Sequence, residues 1–353
     1  LDSVFGFGIF IIIKLHFQSQ AMTLLRKINT RAKAEINTGF GINAADYGGR
    51  FINKDGSPNI EKRGVNLLER ISWFHTMLQL SRTKFFLIIV LFYILINFVF
   101  AGGYCILGLE HLNGISPSSS GLDKFAQAYF FSAQTFTTVG YGHINPSGFM
   151  TSMLSSFEAL AGLLSFALAT GLLYGRFSKP KAYIQFSKNA LLAPYKDGIA
   201  LMMRIAPHKN NSLTDAEAKI TVGMSVEENG KMSNKFFTLG LEFDKVNALA
   251  LSWTLVHPIN EDSPFYKFSI DDFKNTVGEI IVYIKAFDDM FSSTVVTRSS
   301  YTFKEIIPGA KFVMMYYRNE ENNKTVLDLA KLGTYATADI SHAFAEDKNV
   351  VNG

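Results

Sequence analysis

Thr137-Thr138-Val139-Gly140-Tyr141-Gly142, TTVGYG, is the stretch on which the reading of this chain turns. Two glycines flank a tyrosine, so the backbone can take conformations there that a Cβ resists. Directly ahead of it, Leu122 to Phe136 (LDKFAQAYFFSAQTF) is apolar and aromatic, yet too short to cross a bilayer. Pro117-Ser118-Ser119-Ser120-Gly121 breaks the chain before that segment. The short segment therefore reads as a re-entrant helix that carries the TTVGYG run to membrane depth.

A span lies on either side. Phe85 to Leu109 holds no charged residue, and as a helix it would reach roughly 37 Å, enough for a bilayer core. Phe149 to Tyr174 is interrupted only by Glu158. The mean hydropathy of the whole chain is only +0.14, so the apolar residues are concentrated in this region. Arg63, Arg70, Arg82 and Lys84 precede the first span, and Arg176, Lys179, Lys181 and Lys188 follow the second. Between the spans, Lys124 is the lone Lys or Arg from Gly108 to Gly148. The positive-inside rule then puts both termini in the cytoplasm of a multi-pass cell (inner) membrane protein, with the connecting loop outside.

Further out, Met22 to Gly64 is polar, basic and rich in Gly and Asn, a cytoplasmic lead-in with little regular structure. Val4 to Ile13 is apolar but short. It lacks a basic residue in front and a small-residue cleavage site behind, so it makes a poor signal peptide. Sequence upstream of a start at Met22 and a membrane-surface anchor both remain open for it. Val65 to Ser81 carries Trp73, Phe74, Met77, Leu78 and Leu80 at helical spacing, which suits an amphipathic helix in the membrane interface or a cytoplasmic packing helix. After Pro180 the composition changes. Ile199 to Ile205, Lys219 to Val226, Phe236 to Leu241, Ala248 to Val256, Glu279 to Phe287, Ser293 to Thr302 and Lys311 to Tyr317 are short and rich in β-branched and aromatic residues. Lys196-Asp197-Gly198 and Glu228-Asn229-Gly230 mark turns among them, and the pattern predicts a β-sandwich.

The expected division is 1–21 leader, 22–70 cytoplasmic segment, 71–82 interfacial helix, 83–180 transmembrane pore domain and 181–353 cytoplasmic β-sandwich with a tail. The net charge of +4 is too small to argue for nucleic acid. Cys105 is the single cysteine, so no intrachain disulfide can form. No Gly-rich phosphate loop, HExxH or nucleophile elbow points to an enzyme. No cofactor is expected.

TVGYG is already known as the potassium filter, so its chemistry is not new with this chain. A potassium ion leaving water needs a replacement shell of oxygens, and carbonyls of Thr138, Val139, Gly140 and Tyr141 from four copies would supply it, with Gly142 closing the run. The Thr138 hydroxyl would complete the innermost site. The sequence resembles the inward-rectifier potassium channel family from about Gly49 to Tyr335. GGRFINKDGSPNI is similar to the family's lead-in and SAQTFTTVGYG to its pore helix and filter. GRFSKPKA is similar to its basic exit from the second span, and HPINEDSP and TRSSY to two signature turns of its cytoplasmic domain. The resemblance implies a membrane α-helical pore domain of two transmembrane helices plus a pore helix, with a cytoplasmic immunoglobulin-like β-sandwich domain. It also implies a homotetramer with potassium as the permeant ion. Two departures suit a prokaryotic-type member. The paired extracellular cysteines of animal members are absent, and Gln134 stands where they carry Glu, with His143 after the filter. A hydrogen-bond network would then replace the usual ion pair.

Ala159, Leu163, Phe166, Thr170 and Tyr174 share one helix face by spacing, and the resemblance puts that face on the pore. It implies weak rectification at Phe166, where strong rectifiers carry an acid, and a gate at Tyr174, where large side chains close the pore; ordinary helix packing is the alternative. Gly162, Gly171 and Gly175 would let the helix bend or allow close helix contact. Glu158 reads as a structural hydrogen-bond partner near the filter. Arg82, Lys84, Arg176, Lys179 and Lys181 match the family's anionic-lipid region, though any inner flank is basic. Asp288 and Asp289 would form a ring of carboxylates in the cytoplasmic pore or a solvated turn. The reading from another class is a non-conducting or non-selective two-span sensor with a ligand-binding β domain.

Overall fold

A computed structural model describes residues 28, 29, 31–35, 50–64, 66, 72–116, 120–209, 211–228, 231–321 and 323–340. The leader, Met22, Ile71 and the Pro117–Ser119 part of the breaker lie outside the described residues. The chain divides into two compact units, one of residues 62–179 and one built from residues up to 61 together with 180 onward.

In the first unit, Ser72 caps helix α1 (Trp73–Gln79) by accepting from the His75 amide. Ser81 likewise opens α2 (Arg82–Leu107), the first span. A two-stranded ribbon of β1 (Leu112–Asn113) and β2 (Asn145–Pro146) brackets α3 (Gly121–Phe136). Ser120 and Asp123 form a reciprocal capping box at the start of α3. The second span is α4 (Phe149–Phe177). Both spanning helices are long and apolar enough to cross a membrane. Each extends past the apolar stretch at its basic end, α2 back to Arg82 and α4 on to Phe177, while α2 stops at Leu107, short of Leu109.

Among its described residues the second unit holds a single short α-helix, Ile270–Asn275, and is otherwise mostly strand. Its first sheet pairs β3 (Ile184–Phe186), β4 (Ala190–Tyr195), β5 (Gly198–Pro207), β9 (Trp253–Pro258) and β12 (Ile306–Pro308). Its second joins β6 (Leu213–Glu228), β7 (Lys231–Leu239), β8 (Lys245–Ala248), β10 (Gly278–Asp288) and β11 (Ser293–Thr302). Leu192, Leu201, Met203 and Ile205 of the first sheet share one core with Ile220, Val222, Ile280 and Val282 of the second, as a sandwich requires. The strand expected over 248–256 is split into β8 and β9 by a bend, and the one over 311–317 is split between Ala310–Phe312 and Tyr316–Asn319. TRSSY, expected as a turn, is the body of β11.

The two signatures of this unit have structural tasks. Ser300 donates to the Ile52 carbonyl and Ser299 to that of Lys54 (3.1 Å), while the buried Glu279 carboxylate accepts from the Phe51 and Ile52 amides. Phe51 to Lys54 are thereby fastened to the β10–β11 hairpin. In HPINEDSP, His257 is buried. Its Nδ1 donates to the Gly240 carbonyl (2.6 Å) and its Nε2 accepts from the Ser263 hydroxyl (2.8 Å). Burial pulls its pKa down to about 4, against a smaller upward pull from the Gly240 carbonyl.

Candidate ion-conduction site

The TTVGYG run begins where α3 ends. The Thr138 amide donates to the Thr135 carbonyl (3.0 Å), and the amides of Val139 (2.9 Å) and Gly140 (3.3 Å) converge on that of Gln134. The last turn of α3 therefore takes up the amides of Thr138, Val139 and Gly140. Thr138 (φ 59°), Gly140 (φ 51°) and Gly142 (φ 81°) are left-handed, and Val139 and Tyr141 are not. This alternation sends successive amides to one side and successive carbonyls to the other. Among the described residues, the carbonyls of Thr138, Val139, Gly140 and Tyr141 accept no hydrogen bond. An unpaired carbonyl at membrane depth is costly unless a ligand or water meets it, so four in a row are suited to a desolvated cation. The glycines explain two of the left-handed positions. Thr138 is the third, and its strain is held by the amide contact to Thr135.

Gln134 enters through its backbone carbonyl alone. Its side chain makes no hydrogen bond within this chain among the described residues. The polar network sits one turn earlier. Tyr104 of α2 donates to Glu158 of α4 (2.6 Å), and the Ser132 hydroxyl of α3 lies between Glu158 and Asn97 Oδ1 (3.0 Å). All four residues are fully buried. Glu158 is thus a structural hydrogen-bond partner behind the proposed pore face, as its place on the helix implied. Ser132 was missed in the sequence reading, because a serine in an aromatic helix carries no signal until its partner is placed.

On α4, Leu163 and Phe166 line an apolar cavity of about 620 Å³ together with Thr137 and Thr138. Thr170 and Tyr174 are exposed and lie outside it. The buried side of α4 carries Thr151, Glu158 and Gly162. The Leu163–Tyr174 face is turned from it by roughly 100° at helical spacing. Gly162 settles the question of its role. A Cβ built there would lie 1.8 Å from the Phe136 carbonyl oxygen, so this glycine permits close contact with α3.

The basic and acidic candidates divide. Arg82, Lys84 and Lys179 are exposed in the first unit and Lys181 in the second. Arg176 is not free in the same way. Its guanidinium donates to the Met77 (3.3 Å) and Leu80 carbonyls and lies 5.1 Å from the Phe85 ring centre. Those carbonyls belong to the unsatisfied C-terminal end of α1, which favours a cation. Asp288 is likewise spent. It is buried, and its Oδ1 accepts from the amides of Met290 (3.0 Å) and Phe291 (3.3 Å), capping the β10–β11 turn. It cannot serve as a ring acid facing water. Asp289 is exposed and accepts from Ser212 (2.7 Å) and Thr214 (3.0 Å).

A family model described as "Inward rectifier potassium channel C-terminal domain" matches residues 184–351, and one described as "Ion channel" matches residues 83–179. The chain is 32% identical over 287 residues to "Inward rectifier potassium channel Kirbac3.1" of Paramagnetospirillum magnetotacticum, covering 80% of this chain and 94% of the relative. It is 26% identical over 289 residues to "G protein-activated inward rectifier potassium channel 3" of Mus musculus, covering 74% and 72%. A solved structure of Spo0M, a sporulation control protein from Bacillus subtilis, overlaps 36% of this chain and 50% of its own at 8% identity, with a TM-score of 0.22, too low to mean a shared fold.

Proposed function

The chain belongs to the inward rectifier potassium channel family, and from that premise we propose that it is one subunit of a potassium-selective homotetramer whose four TVGYG runs meet on one axis. The observation that carries this reading is the run itself. The amides of Thr138, Val139 and Gly140 are tied to Gln134 and Thr135, and the carbonyls of Thr138 to Tyr141 are left without a protein partner among the described residues. Thr138 to Tyr141 hold potassium in turn, with the Thr138 hydroxyl at the innermost site. Leu163 and Phe166 line the cavity below, and Thr170 and Tyr174 continue that face towards a gate at Tyr174. Phe166 offers a migrating polyamine no negative charge, so rectification is weak. The excess of Lys and Arg flanking the spans argues for a cell (inner) membrane protein with both termini in the cytoplasm. Arg82, Lys84, Lys179 and Lys181 attract anionic lipid, at about 1 kcal/mol each near the surface. Arg176 acts by holding α1 at the base of α4.

Reconstitution of the full chain into liposomes, followed by potassium and sodium flux, tests this. Potassium flux should far exceed sodium flux and respond to added anionic lipid. Equal flux of the two ions would make it a non-selective channel. Folded tetramers with no flux under any lipid would leave a two-span sensor instead.

A further inference from the structure

The contact between α3 and α4 is made at two points of matching spacing. On α4, Glu158 and Gly162 are four residues apart and face the same way. On α3, Ser132 and Phe136 are also four apart. Ser132 meets the Glu158 carboxylate, and the Phe136 carbonyl rests on Gly162 with no room for a Cβ. Tyr104 grips the same carboxylate from α2, and Asn97, whose amide donates to the Tyr93 carbonyl (2.6 Å), reaches Ser132. Between the two points lie Gln134 and Thr135, whose carbonyls take the amides of Thr138, Val139 and Gly140. The stretch of α3 that holds the filter backbone is therefore clamped at both ends by one face of α4.

We propose that Glu158 and Gly162 are filter-positioning residues: they seat the last turn of α3, and through it they set how strictly the TVGYG carbonyls prefer potassium to sodium. The proposal rests on the filter reading above and adds residues outside the TVGYG run to it. The physical argument is that buried hydrogen bonds in a medium without water have no substitute partner once broken. A contact already at van der Waals limit also transmits any added volume directly to the groups behind it. A displacement of Phe136 is a displacement of the residue that precedes the run.

The test uses the full chain in liposomes, with potassium and sodium flux measured separately and the oligomer checked by gel filtration in detergent. Glu158→Ala and Gly162→Ala should each lower the potassium-to-sodium flux ratio about tenfold, or about 1.4 kcal/mol in discrimination, while the oligomer survives. Glu158→Gln should keep the ratio near that of the parent, because its amide can still accept from Tyr104 while Ser132 turns to accept from its NH₂. Leu160→Ala, on an exposed part of the same helix, should leave the ratio unchanged. Ser132→Ala keeps the volume of the site nearly intact and should give a smaller fall, about threefold, even if the larger changes prevent assembly. The proposal is overturned if Glu158→Ala, Gly162→Ala or Ser132→Ala is assembled and as selective as the parent. It is also overturned if Glu158→Gln is as damaged as Glu158→Ala. A parent that does not discriminate at all would defeat the filter reading first, and the positioning role with it.

Discussion

Two short turns of this chain each looked suited to meet cations, and they handle their polar groups in opposite ways. At Thr138 to Gly140 the backbone amides are taken by the end of α3, and the carbonyls from Thr138 to Tyr141 are left over among the described residues. At the tip of the β10–β11 hairpin the amides of Met290 and Phe291 are taken by the Asp288 carboxylate, so the charge is consumed. What remains exposed at that tip is Met290, 71% exposed, beside Asp289, whose carboxylate accepts from Ser212 and Thr214. Ion chemistry follows from the polar group without a partner, and a formal charge in the sequence does not say whether it is already spent.

The largest effect that would break this contrast is expected at Gly140. Its φ of 51° is a conformation that β-branched residues resist most. Gly140→Val should reduce potassium flux in liposomes to background while the oligomer survives. Flux close to the parent would mean that the left-handed alternation is not needed for conduction.

Phe166→Asp sharpens it next. If the hairpin tip supplies no ring of acids, internal spermine should block the parent weakly. The variant should gain at least about tenfold in voltage-dependent block, even though neighbouring carboxylates raise one another's pKa and do not all ionise. Comparable block in both proteins, lost on Asp289→Asn, would return the cation site to the hairpin.

A smaller effect separates the β unit from the filter through pH. His257 has a folded pKa of about 4, below its ordinary value of 6.5. The unfolded chain therefore takes up the proton first, and stability falls as pH drops through the window from 6.5 to 4. The loss is on the order of 3 kcal/mol at the bottom of that window. Thermal unfolding in detergent should show this decline, and His257→Gln should flatten it. An equally steep decline in the variant would place the titrating group elsewhere.

The smallest effect concerns the capped hairpin. Asp288→Ala leaves two amides unpaired and should cost about 1–3 kcal/mol in unfolding, with potassium selectivity unchanged. A changed cation preference with unchanged stability would show that Asp288 does face ions after all.

The sequence made the membrane part legible because composition dominates there. Two apolar runs, a breaker and a short aromatic helix leave little choice of arrangement. The Ser120–Asp123 capping box was also there to be read. The sandwich was legible where strands alternate or run apolar, as in β5, β6 and β10. It was not legible in β3, β4 and β12, which are short or interrupted by proline; β12 gains its pairing from β4, distant in sequence, while β3 and β4 both pair with β5. The site divided along a similar line. The left-handed glycines of the TVGYG run were readable because they are backbone features of a local motif. The hydrogen-bond partners of Arg176, Asp288 and Ser132 were not legible, because they lie 96 residues away, two or three residues away in a turn, and 26 residues away. Spacing alone does not reveal whether such a partner exists.

The most direct measurement is a structure of the assembled protein soaked in rubidium or thallium. The account predicts heavy-ion density on a fourfold axis, level with the carbonyls of Thr138 to Tyr141. Density confined to the level of Asp289, or carbonyls of that run turned away from the axis, would contradict it.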